Sequence, residues 1–142
     1  MNYAQLENKF RAAVQGARYS EDFDTPQRIW LALARVSSMN FNCNQNFALS
    51  VAENYLAGKA DDYERIAALK SVSPLMDAKL ASDEDSDAVA ANNRIVCASL
   101  MRNDAMTPEL AELVVEVCED ARIAPETLEF ILRANIPEFG GV

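Results

Sequence analysis

The chain has 142 residues, with 13 Lys and Arg against 22 Asp and Glu, a formal net charge of −9, and no histidine. Its length suits one domain with its own core. The missing histidine removes the usual general base near neutral pH and the commonest metal ligand. The acidic balance, with no basic cluster to neutralise phosphates, argues against nucleic-acid binding.

In chain order the sequence predicts helices over 3–16, 26–38, 44–57, 61–72, 74–81, 87–102, 108–122 and 125–135. Their boundaries come from local chemistry. Thr25-Pro26 and Thr107-Pro108 each place a capping hydroxyl before a proline at the first helical position. Ala124-Pro125 marks a third start with a poor cap, and Gly16 and Gly58 follow helical runs as C-terminal caps do. The clearest pattern lies in 108–122, where Leu110, Leu113, Val114, Val117, Cys118 and Ala121 form one apolar stripe at helical spacing. No run of β-branched and aromatic residues alternates as a strand would, and no Asn-Gly or Asp-Gly hairpin turn occurs. The expectation is a single all-α domain over 1–142, a helical bundle or short superhelical stack of seven to eight helices. Short connections should make sequential helices antiparallel neighbours, and 137–142 should be a loose tail.

The longest apolar run, Ile29–Ala34, is far shorter than the roughly 20 residues a membrane-spanning helix needs. The opening residues MNYAQLENKF lack the apolar core of a secretion signal. A cytoplasmic location away from membranes is therefore expected. Three cysteines, an odd number, fit no disulfide framework. Cys97 and Cys118 sit in apolar surroundings and should be buried, whereas Cys43 lies among Asn and Gln and should be more exposed.

Charge is distributed unevenly. Residues 1–71 hold eight basic and eight acidic side chains, while 72–142 hold five basic and fourteen acidic ones, so the whole excess lies in the second half. Asp83, Glu84, Asp85 and Asp87 cluster before a helix, and Glu109, Glu112, Glu116 and Glu119, with Asp120 beside the last, recur on one helical face. Like charges three and four apart disfavour their own helix by a few tenths of a kcal/mol per pair. A plain solvated face is the competing explanation for such a stripe.

Catalytic and metal motifs fail on their residues. Asp83-x-Asp85-x-Asp87 resembles the start of a calcium loop, but Ala88 stands where glycine is needed and Arg94 where the final glutamate belongs. The helical glutamates lack the histidine partners of a bundle metal site. There is no glycine-rich phosphate loop and no Gly-x-Ser-x-Gly nucleophile turn. No cofactor, metal or catalytic residue is expected. Among the aromatics, Trp30, Phe41, Phe47, Tyr55, Tyr63 and Phe130 mostly fall at core-like spacing. Tyr19 and Phe23, in an acidic loop, read equally as exposed anchors for a partner or as a cap folded onto the bundle.

The segment Arg28-Ile29-Trp30-Leu31-Ala32-Leu33-Ala34-Arg35, followed by Phe47 to Lys59 with its alanine-rich run ending Tyr55-Leu56-Ala57-Gly58, resembles the helix pair of small all-helical immunity proteins. Those proteins accompany bacterial polymorphic and contact-dependent toxins. The likeness covers roughly residues 25–70 and carries over no site residue. It implies a non-enzymatic cytoplasmic protein that binds and neutralises a cognate toxin domain. A basic, nucleic-acid-acting toxin would suit an acidic surface, since carboxylates can stand where phosphates bind and steer association. The expected partner-binding residues are Asp83, Glu84, Asp85, Asp87, Glu109, Glu112, Glu116, Glu119 and Asp120. The alternative is a helical adaptor or regulatory interaction domain, with an enzyme as a third class. Oligomeric state is not legible in the sequence.

Overall fold

The computed structural model describes residues 1–72, 86–102 and 104–140, and these are all-α. Eight α-helices and two short 3₁₀ turns appear, with no strand among the described residues. The helices are α1 (Tyr3–Ala13), α2 (Asp24–Ser37), α3 (Cys43–Leu56), α4 (Asp62–Val72), α5 (Ser86–Leu100), α6 (Pro108–Asp120), α7 (Pro125–Asn135) and α8 (Pro137–Gly140). The helix expected over 74–81 lies outside the described residues.

Short polar side chains start most of these helices. Asn2 accepts from the Gln5 N–H at 2.9 Å while the Gln5 amide oxygen accepts from the Asn2 N–H, and Asn42 and Gln45 repeat the arrangement at α3. Asp61 accepts from the Glu64 N–H at 2.8 Å at α4, and the Thr107 hydroxyl accepts from the Leu110 N–H at α6. Each satisfies a backbone donor that the first helical turn leaves unpaired. The start of α2 departs from expectation. The cap position, Phe23, offers no side-chain bond, and Asp22 just before it serves instead, its carboxylate accepting from the Thr25 and Asp24 N–H groups and from the Thr25 hydroxyl. Helix α7 starts at Pro125 without a side-chain cap, as the sequence suggests.

Two helices, α3 and α6, end in the same way. Gly58 N–H donates to the Tyr55 carbonyl and Lys59 N–H to that of Asn54, with Gly58 at φ +76°. Arg122 N–H donates to Glu119 and Ile123 N–H to Cys118, with Arg122 at φ 61°. Both are paired terminations that satisfy the last carbonyls. The second does so with a side chain in the left-handed region that glycine normally fills.

Helices α2 and α5 form the centre. Helix α2 packs on α5, α7 and α3, α5 also meets α3, α4 and α6, and α1 lies against α6, α7 and α8. Sequence neighbours pack together at α2–α3, α3–α4, α4–α5, α5–α6 and α7–α8, but two of the three most extensive pairings, α2–α5 and α1–α6, join elements far apart in the chain. The expectation of purely sequential neighbours is thus only partly met. The apolar stripes are wide enough to serve two partners, and the second partner is set by tertiary packing.

Interior polar groups fix how these helices align. The Gln27 amide, 1% exposed, donates to the Ser99 carbonyl at 3.2 Å, and Arg102 donates to the Gln27 amide oxygen at 2.7 Å. Arg102 also pairs with Asp24 at 2.9 Å, so the start of α2 meets the end of α5. Asn93 accepts from Gln45 and donates to the Val72 carbonyl, tying α3 and α4 to α5. Arg65 reaches the Leu100 carbonyl at 2.8 Å, which with the Asn93–Val72 bond makes α4 antiparallel to α5. Satisfied interior networks of this kind specify one alignment, because every slip leaves a buried polar group unpaired.

Several aromatics depart from the core expected of them. Trp30 is buried and Phe41 and Tyr55 are half-buried, but Phe47, Tyr63 and Phe130 are 63%, 82% and 76% exposed. In α7 the buried face is Leu128, Ile131 and Leu132, which leaves Phe130 turned away from it. Tyr19 is buried and Phe23 half-buried, so the acidic loop folds back as a cap on the bundle. The expected loose tail is also corrected for 137–140. Pro137–Gly140 is a helical turn with Phe139 fully buried and Lys9 Nζ 4.8 Å from its ring centre. Burial of that one ring outweighs the chain-end entropy that favours a free tail.

Candidate functional site

Helix α6 buries Leu110, Ala111, Val114, Val115, Val117 and Cys118. The sequence stripe missed Ala111 and Val115, and Leu113 and Ala121 are only half-buried. The shift has a cause: α1 packs on α6 beside Val115, so the apolar face is wider than one stripe and turned toward α1. Each buried Val or Leu contributes about 1.5–3 kcal/mol, so the helix is anchored firmly enough to carry an unfavourable outer face.

That outer face is acidic. A groove between α1 and α6 is lined by Tyr3, Ala4, Glu7, Val115 and three of the expected carboxylates, Glu112, Glu116 and Glu119. Tyr3 and Val115 supply its apolar part, and the Tyr3 hydroxyl donates to the Ile123 carbonyl, holding the start of α1 at the end of α6. Burial raises the Tyr3 hydroxyl pKa above its ordinary value, and the nearby Glu119 and Glu126 carboxylates add to the rise. The end of α6 is thus a region of negative potential.

The remaining expected residues do not all join this groove. Glu109 is exposed on a separate shallow groove with Asp104, Thr107 and Leu113. Asp120 is exposed at the end of α6 and does not line the α1–α6 groove. Asp87 falls in the first turn of α5, and Asp83, Glu84 and Asp85 lie outside the described residues. Glu7 is the addition that sequence reasoning missed. Its only signal is that it shares a face of α1 with Tyr3 and Ala4, which means nothing until α1 is known to lie on α6.

Elsewhere five acids are matched with arginines, Arg18–Glu138 at 2.6 Å, Arg35–Glu53 at 3.3 Å, Arg65–Asp62 at 3.2 Å, Arg102–Asp24 at 2.9 Å and Arg133–Glu129 at 3.5 Å, while acids such as Glu21 and Glu126 have no ion pair among the described residues. No ion pair among the described residues involves Glu7 or any of the α6 acids. The two buried thiols are shut down by their surroundings. Burial pushes Cys97 up to about 11 and Cys118 up to about 12, so both stay protonated at neutral pH, and Cys43 is exposed. Among the described residues no group of three His, Cys, Asp or Glu could hold a metal ion, and no helix is long and apolar enough to cross a membrane.

No family model, curated protein or solved structure matches this chain.

Proposed function

We propose that this chain is a non-enzymatic binding protein of the immunity type, which docks and neutralises a basic bacterial toxin domain on the acidic groove of α1 and α6. The observation that carries this reading is the gathering of Glu7, Glu112, Glu116 and Glu119 around one groove with no arginine or lysine among the described residues paired to them. Like charges held together without counter-charges cost stability, and a cationic partner turns that cost into attraction. The field would speed encounter, while the half-buried Tyr3 offers an apolar surface to a partner side chain.

The test is the association rate with the toxin domain encoded beside this gene, followed by stopped flow at low and high salt. Replacing Glu112 and Glu116 together by Lys should slow association by about tenfold or more at low salt and leave the helical circular dichroism unchanged. An unchanged rate, or a neighbouring product that does not bind, would overturn the reading.

A helical adaptor or regulatory interaction domain is the second reading, favoured by the exposed rings of Phe47, Tyr63 and Phe130. Binding through those rings would vary little with salt, and Tyr63→Ala would weaken it where charge reversal on α6 would not.

A further inference from the structure

We propose that a cavity between α2, α5 and α6 binds a small molecule with a benzene-sized apolar body and a single carboxylate. The cavity has a volume of about 150 Å³, and Trp30, Cys97, Met101, Leu113 and Val117 supply most of its wall. An enclosed apolar cavity of roughly 150 Å³ accepts benzene, and this one has the same volume while opening partly to solvent. Here the wall includes Leu113 and Met101, which remain half-exposed although they sit beside a close-packed core. Filling the space would complete contacts that the walls now lack.

Charge selects the class of ligand. Arg94 lines the cavity half-buried, and no ion pair or hydrogen bond among the described residues involves it, in a chain with 22 acids and only 13 bases. A planar guanidinium beside an apolar wall is suited to a carboxylate held by paired N–H bonds. Among the described residues Asp104 is the one acid at this cavity, and it is exposed. Water screens its charge more than that of the half-buried arginine. The balance therefore favours an anion over a neutral or zwitterionic ligand. The site is distinct from the α1–α6 groove and does not depend on the docking reading.

Trp30, 5% exposed, is the only tryptophan in the chain, so its emission reports on the cavity directly. Phenylacetate, phenylacetamide and phenylglycine serve as anionic, neutral and zwitterionic probes on the intact protein, with amide NMR shifts at 97–101 and 113–117 as a second readout. Phenylacetate should give a saturable change in both signals, with phenylacetamide at least about tenfold weaker, the discrimination expected when a charged partner loses its counter-charge. Arg94→Gln should bring phenylacetate to the level of phenylacetamide, and Ala98→Leu, which fills the cavity, should abolish both. No saturation by about 10 mM phenylacetate, the weak end of specific binding, would overturn the site. Equal binding of phenylacetamide or phenylglycine, or an unchanged preference in Arg94→Gln, would overturn the ligand class.

Discussion

The two closest long-range helix pairs are held together in opposite ways. Between α2 and α5 the polar side chains point inward and are satisfied: Gln27 bridges Ser99 and Arg102, and Arg102 reaches Asp24. Between α1 and α6 the interior is apolar, and the groove along the outside is lined by four carboxylates that no cation among the described residues pairs with. The first seam is arranged for stability. The second keeps a charge distribution that works against stability, and the core beneath it absorbs the loss. On the proposed docking reading, that unneutralised charge would steer a cationic partner.

The comparison is broken most directly by removing the inward network. Gln27→Ala should strip the Ser99 carbonyl and the Arg102 guanidinium of a buried partner at once. The Ser99 carbonyl left unsatisfied costs about 1–3 kcal/mol, while Arg102, half-buried, keeps its Asp24 partner, so thermal unfolding should begin a few degrees lower. Ser99 and Arg102 should also lose hydrogen-exchange protection around the α5 end. A variant as stable as the parent would mean that the network sets alignment only and adds nothing to stability.

A smaller effect is expected at Asp22, the cap of α2. Burial opposes its charged form, but the Thr25 hydroxyl, the Thr25 and Asp24 N–H groups and nearby Arg28 outweigh that and hold the carboxyl below its ordinary value. A folded pKa below the unfolded one means stability that is present above the unfolded value and lost as pH falls through the folded one. Asp22→Ala should therefore lower stability by about 1 kcal/mol at neutral pH, the usual worth of a helix cap. It should also flatten the acid limb of the stability curve. At the other extreme, burial and the Glu138 carboxylate push the Tyr19 hydroxyl up to about 12. Its contribution is complete below the ordinary tyrosine value and is lost as pH rises toward 12. Tyr19→Phe should remove that alkaline loss.

Matching helix ends give a sharper pair of tests, because the geometry is shared and only the residue differs. Gly58→Ala meets nothing within 4 Å, so its effect is the left-handed backbone alone, at about 1 kcal/mol. Arg122→Gly relieves the same strain at the end of α6 and should raise stability by up to about 1 kcal/mol. Equal and opposite shifts in urea midpoint would confirm that the two ends are energetically alike. A loss at Arg122→Gly would show that its side chain contributes more than its backbone strains.

The sequence made the elements legible because caps and periodicity are local: Thr107 before Pro108, the 108–122 stripe and the Gly58 stop all stand where expected. Pairing between distant helices was not legible. Val115 and Ala111 are buried because α6 has neighbours on more than one side, and Glu7 joins the glutamates only because α1 lies on α6. Residue type misled where it was read without angle, as with Phe130 opposite the Leu128–Leu132 face. The tail misled because a single ring, Phe139, carries its docking.

The smallest predicted effect bears most directly on the contrast between seams. Glu112→Lys places a cation three residues after Glu109, four before Glu116, and on the groove that holds Glu7. Converting these like-charge neighbours to opposite ones should raise stability by about 0.5 kcal/mol at low salt. In about 1 M salt, where the screening length falls to roughly 3 Å, the gain should vanish. Glu53→Lys, which breaks the Arg35 pair, should shift the other way by a few tenths of a kcal/mol under the same conditions. Urea midpoints of the two variants at both salt levels decide the matter. If Glu112→Lys destabilises the fold as Glu53→Lys does, the α6 carboxylates are not repelling one another, and the reason for assigning that seam to a partner is gone.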